Sequence, residues 1–376
     1  MNARTRIQAI AIGIGLGLTG GCYAGPSGVD DVDEGIIYRT NENNSLHLNS
    51  AIFNYDFGYG GGRINGVSLS DAYFNGYQYG GGRINGIELT GVSTTDGAFE
   101  GVLANNDVVA AADFIGAELD LVLDAVVDGE NVQGQATVRI DDVYQSPIDS
   151  RVLYHLISYR DADNNWQPVC SDAEGNPLEA IVMDRVWDLN TGSQLEEEGF
   201  TIACRDAAIG KCVDWGYVPW ETTLDCLFDP PKFLPKKVKK LFEQKYCKTI
   251  DLRDHHQACT RMVRNDMCGD GKPYTVNGTL IDVGDALHPH IDKFETKWPY
   301  EAEWNPDGAY CITDSLRLSL VNGDPDFEEP ACFQELSAKK VWKCGKLKHD
   351  RALMATRFSM EEQVIAPEDI DLDEED

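Results

Sequence analysis

The chain has 376 residues, 63 acidic against 32 basic side chains, and a formal net charge of −31. With 42% hydrophobic residues, among them 15 Tyr, 13 Phe and 7 Trp, it can bury a sizeable core, which excludes wholesale disorder. A surface this acidic repels phosphate backbones, so nucleic acid is excluded as a partner.

Residues 1–21 read as an export signal. Arg4 and Arg6 form a basic start, and Ile7 to Leu18 an apolar run too short for the ~20 residues a spanning helix needs. Gly20 and Gly21 then precede Cys22, a pattern that resembles the lipobox of bacterial lipoproteins. There the cysteine is lipidated and becomes the mature N-terminus. The usual leucine three residues before the cysteine is Thr19 here, with Leu18 one position further back. The alternative is ordinary cleavage near Ala24.

Residues 22–45 are rich in Gly, Asn, Ser and acids and read as a flexible acidic tether. Residues 46–150 contain no cysteine and open on a repeat. Tyr59 to Leu69 returns 20 positions later as Tyr79 to Leu89, each copy holding Gly-Gly-Gly-Arg-Ile-Asn-Gly. Asn-Gly followed by alternating apolar residues predicts hairpin turns. Two copies are too few for a solenoid, and no Gly-Lys-Ser/Thr follows to make a phosphate cradle. Val132 to Ile140 alternates as a strand, and Ala110 to Val127 is apolar enough for one or two more.

Residues 151–350 carry ten of the 11 cysteines. Val152 to Tyr159 reads as a buried strand, turned at Asp161–Asn165 into a hairpin partner from Trp166 to Cys170. Phe200 to Cys204 is another strand. Pro235 to Cys247 predicts a helix with Val238, Leu241 and Phe242 on one face, ringed by lysines. Leu252 to Met267 predicts a second helix, with Gly269 as its C-cap. The fold class is α+β: a β-rich N-terminal module followed by a disulfide-stapled mixed domain. Residues 351–376 read as an acidic disordered tail.

Cys170, Cys204, Cys212, Cys226, Cys247, Cys259, Cys268, Cys311, Cys332 and Cys344 form an even set in an exported chain, which predicts disulfides. None is spaced Cys-x-x-Cys, which disfavours a zinc ribbon or a thioredoxin-type pair. Cys259 and Cys268 lie about 13 Å apart along a helix and should not pair, since partners need Cα atoms within about 7 Å. Cys204–Cys212 and Cys332–Cys344 are pairings suggested by sequence proximity alone.

His255 and Cys259 share a helix face at i and i+4, so His255 or His256 beside a thiolate is one reactive arrangement. Disulfide bonding of Cys259 is the preferred reading. His288-Pro289-His290 offers two ligand atoms without a suitably spaced third, so no metal is assigned. Asp161, Asp163 and Asn165 start like a calcium loop but Trp166 stands where Gly is needed, leaving a turn. Asp266 to Gly271 likewise reads as a capped turn. No cofactor is implied. The lysines from Lys232 to Lys248 read as a solvated helix face, with anionic lipid or a partner as the alternative.

The run His256-Gln257-Ala258-Cys259-Thr260-Arg261-Met262-Val263-Arg264-Asn265-Asp266-Met267-Cys268-Gly269-Asp270-Gly271 resembles the signature of the ADYC-domain proteins. Asn265-Asp266-Met267-Cys268 stands where that family has Ala-Asp-Tyr-Cys. Phe200 to Cys204, Lys211 to Trp220, Ile281 to Val283 and Glu301 to Ala309 resemble further family segments in order, so the likeness covers roughly 150–345. The resemblance implies an exported, often lipid-anchored protein of myxobacterial type, and it carries over no catalytic residues because none are established for the family. It also implies that residues 225–249 are an insert, which Cys226 and Cys247 close by bonding to each other.

The expected function is that of a lipid-anchored cell-envelope protein, a binding or structural module at the outer membrane or cell surface, with the periplasm as alternative. Its partners are the membrane, through Cys22, and a protein or glycan. The competing expectation is an exported hydrolase of wall or extracellular polymer, working through His255, His256 or an acidic pair.

Overall fold

The alternating run at Val132–Ile140 becomes, in the computed structural model, part of a sixteen-residue strand at the heart of a ten-stranded antiparallel sheet. The structure describes residues 54–55, 62–63 and 72–363, except 85–86, 128–129, 162, 173–174, 189–190, 196–198, 229–230, 232, 314–315, 322–328, 334–343, 346, 348–351 and 361–362. The export signal, Cys22, the tether and the tail beyond 363 lie outside the described residues.

β1 (Asn54–Tyr55) pairs β2 (Gly62–Arg63). The large sheet then takes β3 (Ala72–Ile84), β4 (Ile87–Thr95), β5 (Ala98–Leu103), β6 (Val108–Ala110), β7 (Glu118–Val127), β8 (Glu130–Gln145), β9 (Leu153–Arg160), β10 (Trp166–Pro168) and β11 (Ala180–Met183). β12 (Val186–Trp187) and β13 (Gln194–Leu195) form a separate ribbon, and β14 (Thr201–Cys204) closes the sheet. Its order is β14-β11-β9-β8-β7-β3-β4-β5-β6, with β10 beside β9. In the second repeat copy Ile84 pairs Ile87, so β3 and β4 form the antiparallel pair that the Asn-Gly signal predicts. The expected hairpin at 153–168 is also present, with Trp166 opposite Arg160. Asp161 tightens its turn by accepting the Asn165 N–H at 2.7 Å.

The expected boundary at 150 is corrected. β8 and β9 straddle it and pair from Val138–Tyr159 to Gln145–Leu153, so module and domain share one sheet. A second sheet comprises β17 (Asp282–Asp285), β18 (Tyr300–Asn305), β19 (Gly308–Ile312) and β20 (Met354–Arg357), ordered β17-β20-β18-β19. β20 corrects the tail as well. Ala352, Met354, Ala355, Thr356 and Phe358 are buried, because this short apolar stretch fills the slot between β17 and β18. Among the described residues no helix is long and apolar enough to cross a membrane.

Helix α1 (Ala208–Asp214) couples the two cores through its i, i+4 geometry. Ile209 and Val213 face the core of the large sheet, while Ala208 and Cys212 face the core of the second. Helix α2 (Lys236–Tyr246) lies between β15 (Thr222–Cys226) and β16 (Cys247–Asp251), and helix α3 (Arg253–Arg264) packs against α1, β18, β19 and β20. A short α4 (Leu318–Val321) follows β19.

All ten cysteines between 170 and 344 are paired: Cys170–Cys204, Cys212–Cys259, Cys226–Cys247, Cys268–Cys332 and Cys311–Cys344. The suggested Cys204–Cys212 and Cys332–Cys344 pairs are wrong. Cys204 ends β14 and meets Cys170 across the sheet, and Cys212 is turned by α1 toward the other core. Cys259, within α3, and Cys268, beyond its end, bond to different partners, as expected. Five disulfides belong to an extracytoplasmic, oxidising compartment, periplasmic or extracellular.

Candidate ligand cleft and the signature helix

α3 carries the His-Gln-Ala-Cys run and is buried from His255 to Arg264. Asp254 in its first turn and Arg261 and Arg264 in its last complement the helix dipole. Its C-cap is Asn265 in the left-handed conformation, φ 55°, four residues before the expected Gly269. Gly269 has φ +67°, and a Cβ there would stand 2.0 Å from the Asp307 carbonyl, so its glycine serves a close backbone approach.

A helix buried on all sides must satisfy its polar side chains internally. Gln257 accepts the Trp187 indole N–H at 3.0 Å and donates to the Gly192 carbonyl at 2.8 Å. Arg261 donates to the carbonyls of Thr191 and Pro306, to Ser193 Oγ and to Asp266. Arg264 donates to the Gly271 carbonyl, and Asp266 accepts the Gly271 N–H. Burial pushes the Asp266 carboxyl up, against the pull of Arg261 and Arg264. The expected capped turn at 266–271 is therefore present, built around a buried charge cluster. Arg317, fully buried, grips Glu301 through Nε at 2.9 and 3.0 Å. It also donates to the Met262 carbonyl at 2.8 Å, tying down the end of α3.

The histidines of α3 are part of this packing. The His255 ring lies parallel to Tyr217 with centroids 6.4 Å apart. His256 meets Trp187 edge-on, its Nε2 3.1 Å from the Ile209 carbonyl. Burial pushes the His256 imidazole down to about 4. Cys259, in its disulfide, has no thiolate for either to activate.

His288 and His290 belong to a different place. They follow β17 and, with ring centroids 4.8 Å apart, line a cleft of about 320 Å³ with Asp285, Asp292, Lys293, Phe294 and Tyr300. Asp285, at the end of β17, is the buried centre. Its Oδ1 accepts the Leu287 N–H and lies 3.2 Å from His290 Nδ1, while its Oδ2 accepts the Asp292 N–H at 2.6 Å. The Tyr217 hydroxyl bridges Asp285 and Asp292, at 3.1 and 2.8 Å. The Asp285 hydrogen bond raises the pKa of His290. Asp285 and Asp292 flank His288-Pro289-His290 in the chain and in space. That signal was readable in the sequence, whereas Tyr300 reaches the cleft only through sheet pairing.

A metal would need three converging ligands. Among the described residues the group that comes close enough is Glu303 with Cys311 and Cys344, whose sulfurs are joined in a disulfide. Among the described residues the cleft presents imidazoles, a lysine, carboxylates and a phenol, but no serine, threonine or cysteine hydroxyl or thiol. Burial pushes the Tyr300 phenol up to about 12, which keeps it protonated at neutral pH. Such a lining suits hydrogen bonding to a polar ligand better than nucleophilic attack on one.

The family model of the ADYC domain matches residues 111–317. No curated protein and no solved structure matches the chain. The match spans the large sheet from β7 onward, the signature helix, the cleft and the Glu301–Arg317 pair.

Proposed function

The chain belongs to the ADYC domain family, and from that premise we propose that it is a lipid-anchored cell-envelope protein whose disulfide-stapled body is a binding module. The observation that carries this reading is where the signature side chains are spent. Gln257, Arg261, Arg264 and Asp266 hold backbone or one another and Cys259 is bonded to Cys212, leaving chemistry to the cleft at His288 and His290, whose described lining holds no hydroxyl or thiol nucleophile of Ser, Thr or Cys. Cys22 supplies the lipid anchor, placing the body at the outer membrane or cell surface, and a glycan or protein partner occupies the cleft.

The hydrolase reading keeps one supporting observation, the Asp285–His290 pair, which orients an imidazole as a general base for water would be oriented. One experiment separates the two. The purified chain is incubated with solubilised envelope polymer, and both pull-down and release of soluble fragments are measured. The expected result is saturable binding without fragments, weakened about tenfold or more by the double substitution His288→Ala and His290→Ala, as for loss of two buried polar contacts. Fragment release that disappears in His290→Ala would instead establish the hydrolase. Absence of palmitate from Cys22 in producing cells would remove the anchor from the proposal.

A further inference from the structure

The insert at 225–249 folds as a finger. β15 and β16 pair along their whole length, from Thr222–Asp251 to Cys226–Cys247, and the disulfide closes the base of the loop that carries α2. Phe228, Phe242 and Tyr246 pack together with centroids 5.0 to 5.4 Å apart, giving the finger its own small core. The expected apolar face of α2 does not meet the body. No residue of α2 is buried. Val238 and Leu241 share one edge at i and i+3 and are 44% and 64% exposed, while Leu227 and Phe233 in the same loop are 77% and 86% exposed.

Solvent is a poor partner for so many large apolar side chains in 22 residues. Around them stand Lys236, Lys237, Lys239 and Lys240 on α2, with Lys245 and Lys248 at its end, all exposed. Lys239 reaches Glu243 only at 3.9 Å and Lys248 reaches Asp225 at 3.5 Å, so most of this charge is turned outward. The remainder of the chain is strongly acidic. An anionic surface is therefore repelled by the net charge of the chain and attracted by this lysine-bearing finger.

We propose that this finger docks on anionic lipid headgroups, its apolar side chains entering the interface while its lysines pair with phosphates. Apolar groups ringed by lysine suit that boundary, and each lysine near an anionic leaflet adds to the attraction. The disulfide and the aromatic core hold the finger in shape before contact, so little ordering cost opposes docking. The contact goes beyond the anchor proposed for Cys22 and does not depend on it.

The test uses the full chain carrying Cys22→Ser, so that no acyl chain contributes, in sedimentation with vesicles. With vesicles containing anionic phosphatidylglycerol the bound fraction is expected to exceed that with pure phosphatidylcholine by about tenfold or more, and to fall in high salt. Phe233→Glu with Leu241→Glu is expected to abolish binding. The combined substitutions Lys236→Ser, Lys237→Ser, Lys239→Ser and Lys240→Ser are expected to do the same, and either variant should retain the Cys226–Cys247 linkage in non-reducing peptide mapping. No partition of the unsubstituted finger, equal partition into neutral vesicles, or undiminished binding by the glutamate variant overturns the proposal. An acidic protein as the true partner would give the first of these results.

Discussion

Lowering the pH from 6.5 to 4.5 is expected to cost about 2 kcal/mol of folding stability through each of two buried histidines, about 4 kcal/mol together. His155 lies on β9 in the core of the large sheet, edge-on to Phe99, and His256 lies on α3 against Trp187. Both are 0% exposed, and burial pushes both imidazoles down to about 4. A depressed imidazole means that the unfolded chain takes up its proton first. Stability is then whole above the unfolded value of about 6.5 and is lost as the pH falls toward 4. His290 works in the other direction. Its raised pKa contributes stability below about 6.5 that disappears as the pH rises past its folded value. Buried Asp266, pushed up, also offsets part of the acid loss. The comparison with His256→Gln therefore isolates the effect. Glutamine still donates to the Ile209 carbonyl but takes no proton, so urea unfolding should show about 2 kcal/mol less loss between the two pH values than the unsubstituted chain. An equal loss in both would contradict the assignment.

Replacing Arg317 with methionine is expected to destabilise the fold by about 3–5 kcal/mol, the usual cost of stranding one partner of a buried ion pair. Glu301 and Arg317 are both 0% exposed, so methionine leaves a carboxylate on β18 without its counter-charge. The end of α3 loses the donor to its Met262 carbonyl at the same time. Glu301→Gln combined with Arg317→Met should recover a large part of the loss, because no bare charge then remains. Denaturant midpoints of the single and double variants measure this coupling. Additive losses would place the stabilisation in packing against Trp304 rather than in the ion pair.

Local features of this fold were legible because they follow from short-range rules. Asn85-Gly86 between alternating runs marks a hairpin, Asp161 to Asn165 marks a tight turn, and i, i+3, i+4 spacing marks α2 and α3. What the pattern could not show is which partner an apolar stripe finds. Val238 and Leu241 have core-like spacing yet remain exposed, because the insert closes on itself through Phe228 and Cys226–Cys247. The domain boundary was misplaced for a related reason. A cysteine-free stretch looks like a separate module, but strand pairing depends on contacts between distant residues, and β8 and β9 belong together whatever their composition. The disulfides divide the same way. The helical run that starts before Cys259 and ends at Arg264 keeps it from pairing with Cys268 further on, whereas Cys170 meets Cys204 only after the sheet has formed. The cleft was half visible: His288 and His290 are adjacent in the chain, and Asp285 and Asp292 needed only the loop after β17 to bring them in.

The signature helix is scaffold, its cysteine locked to α1 and its histidines packed, with no thiol left on it for catalysis. Alkylation of the unreduced chain with iodoacetamide, natively and in urea, followed by peptide mapping, puts this to the test. No modification is expected at any of the ten cysteines from Cys170 to Cys344, with the Cys212–Cys259 linkage intact. Alkylation of Cys259 in the native chain would contradict it, by putting a live thiol one helical turn from His255.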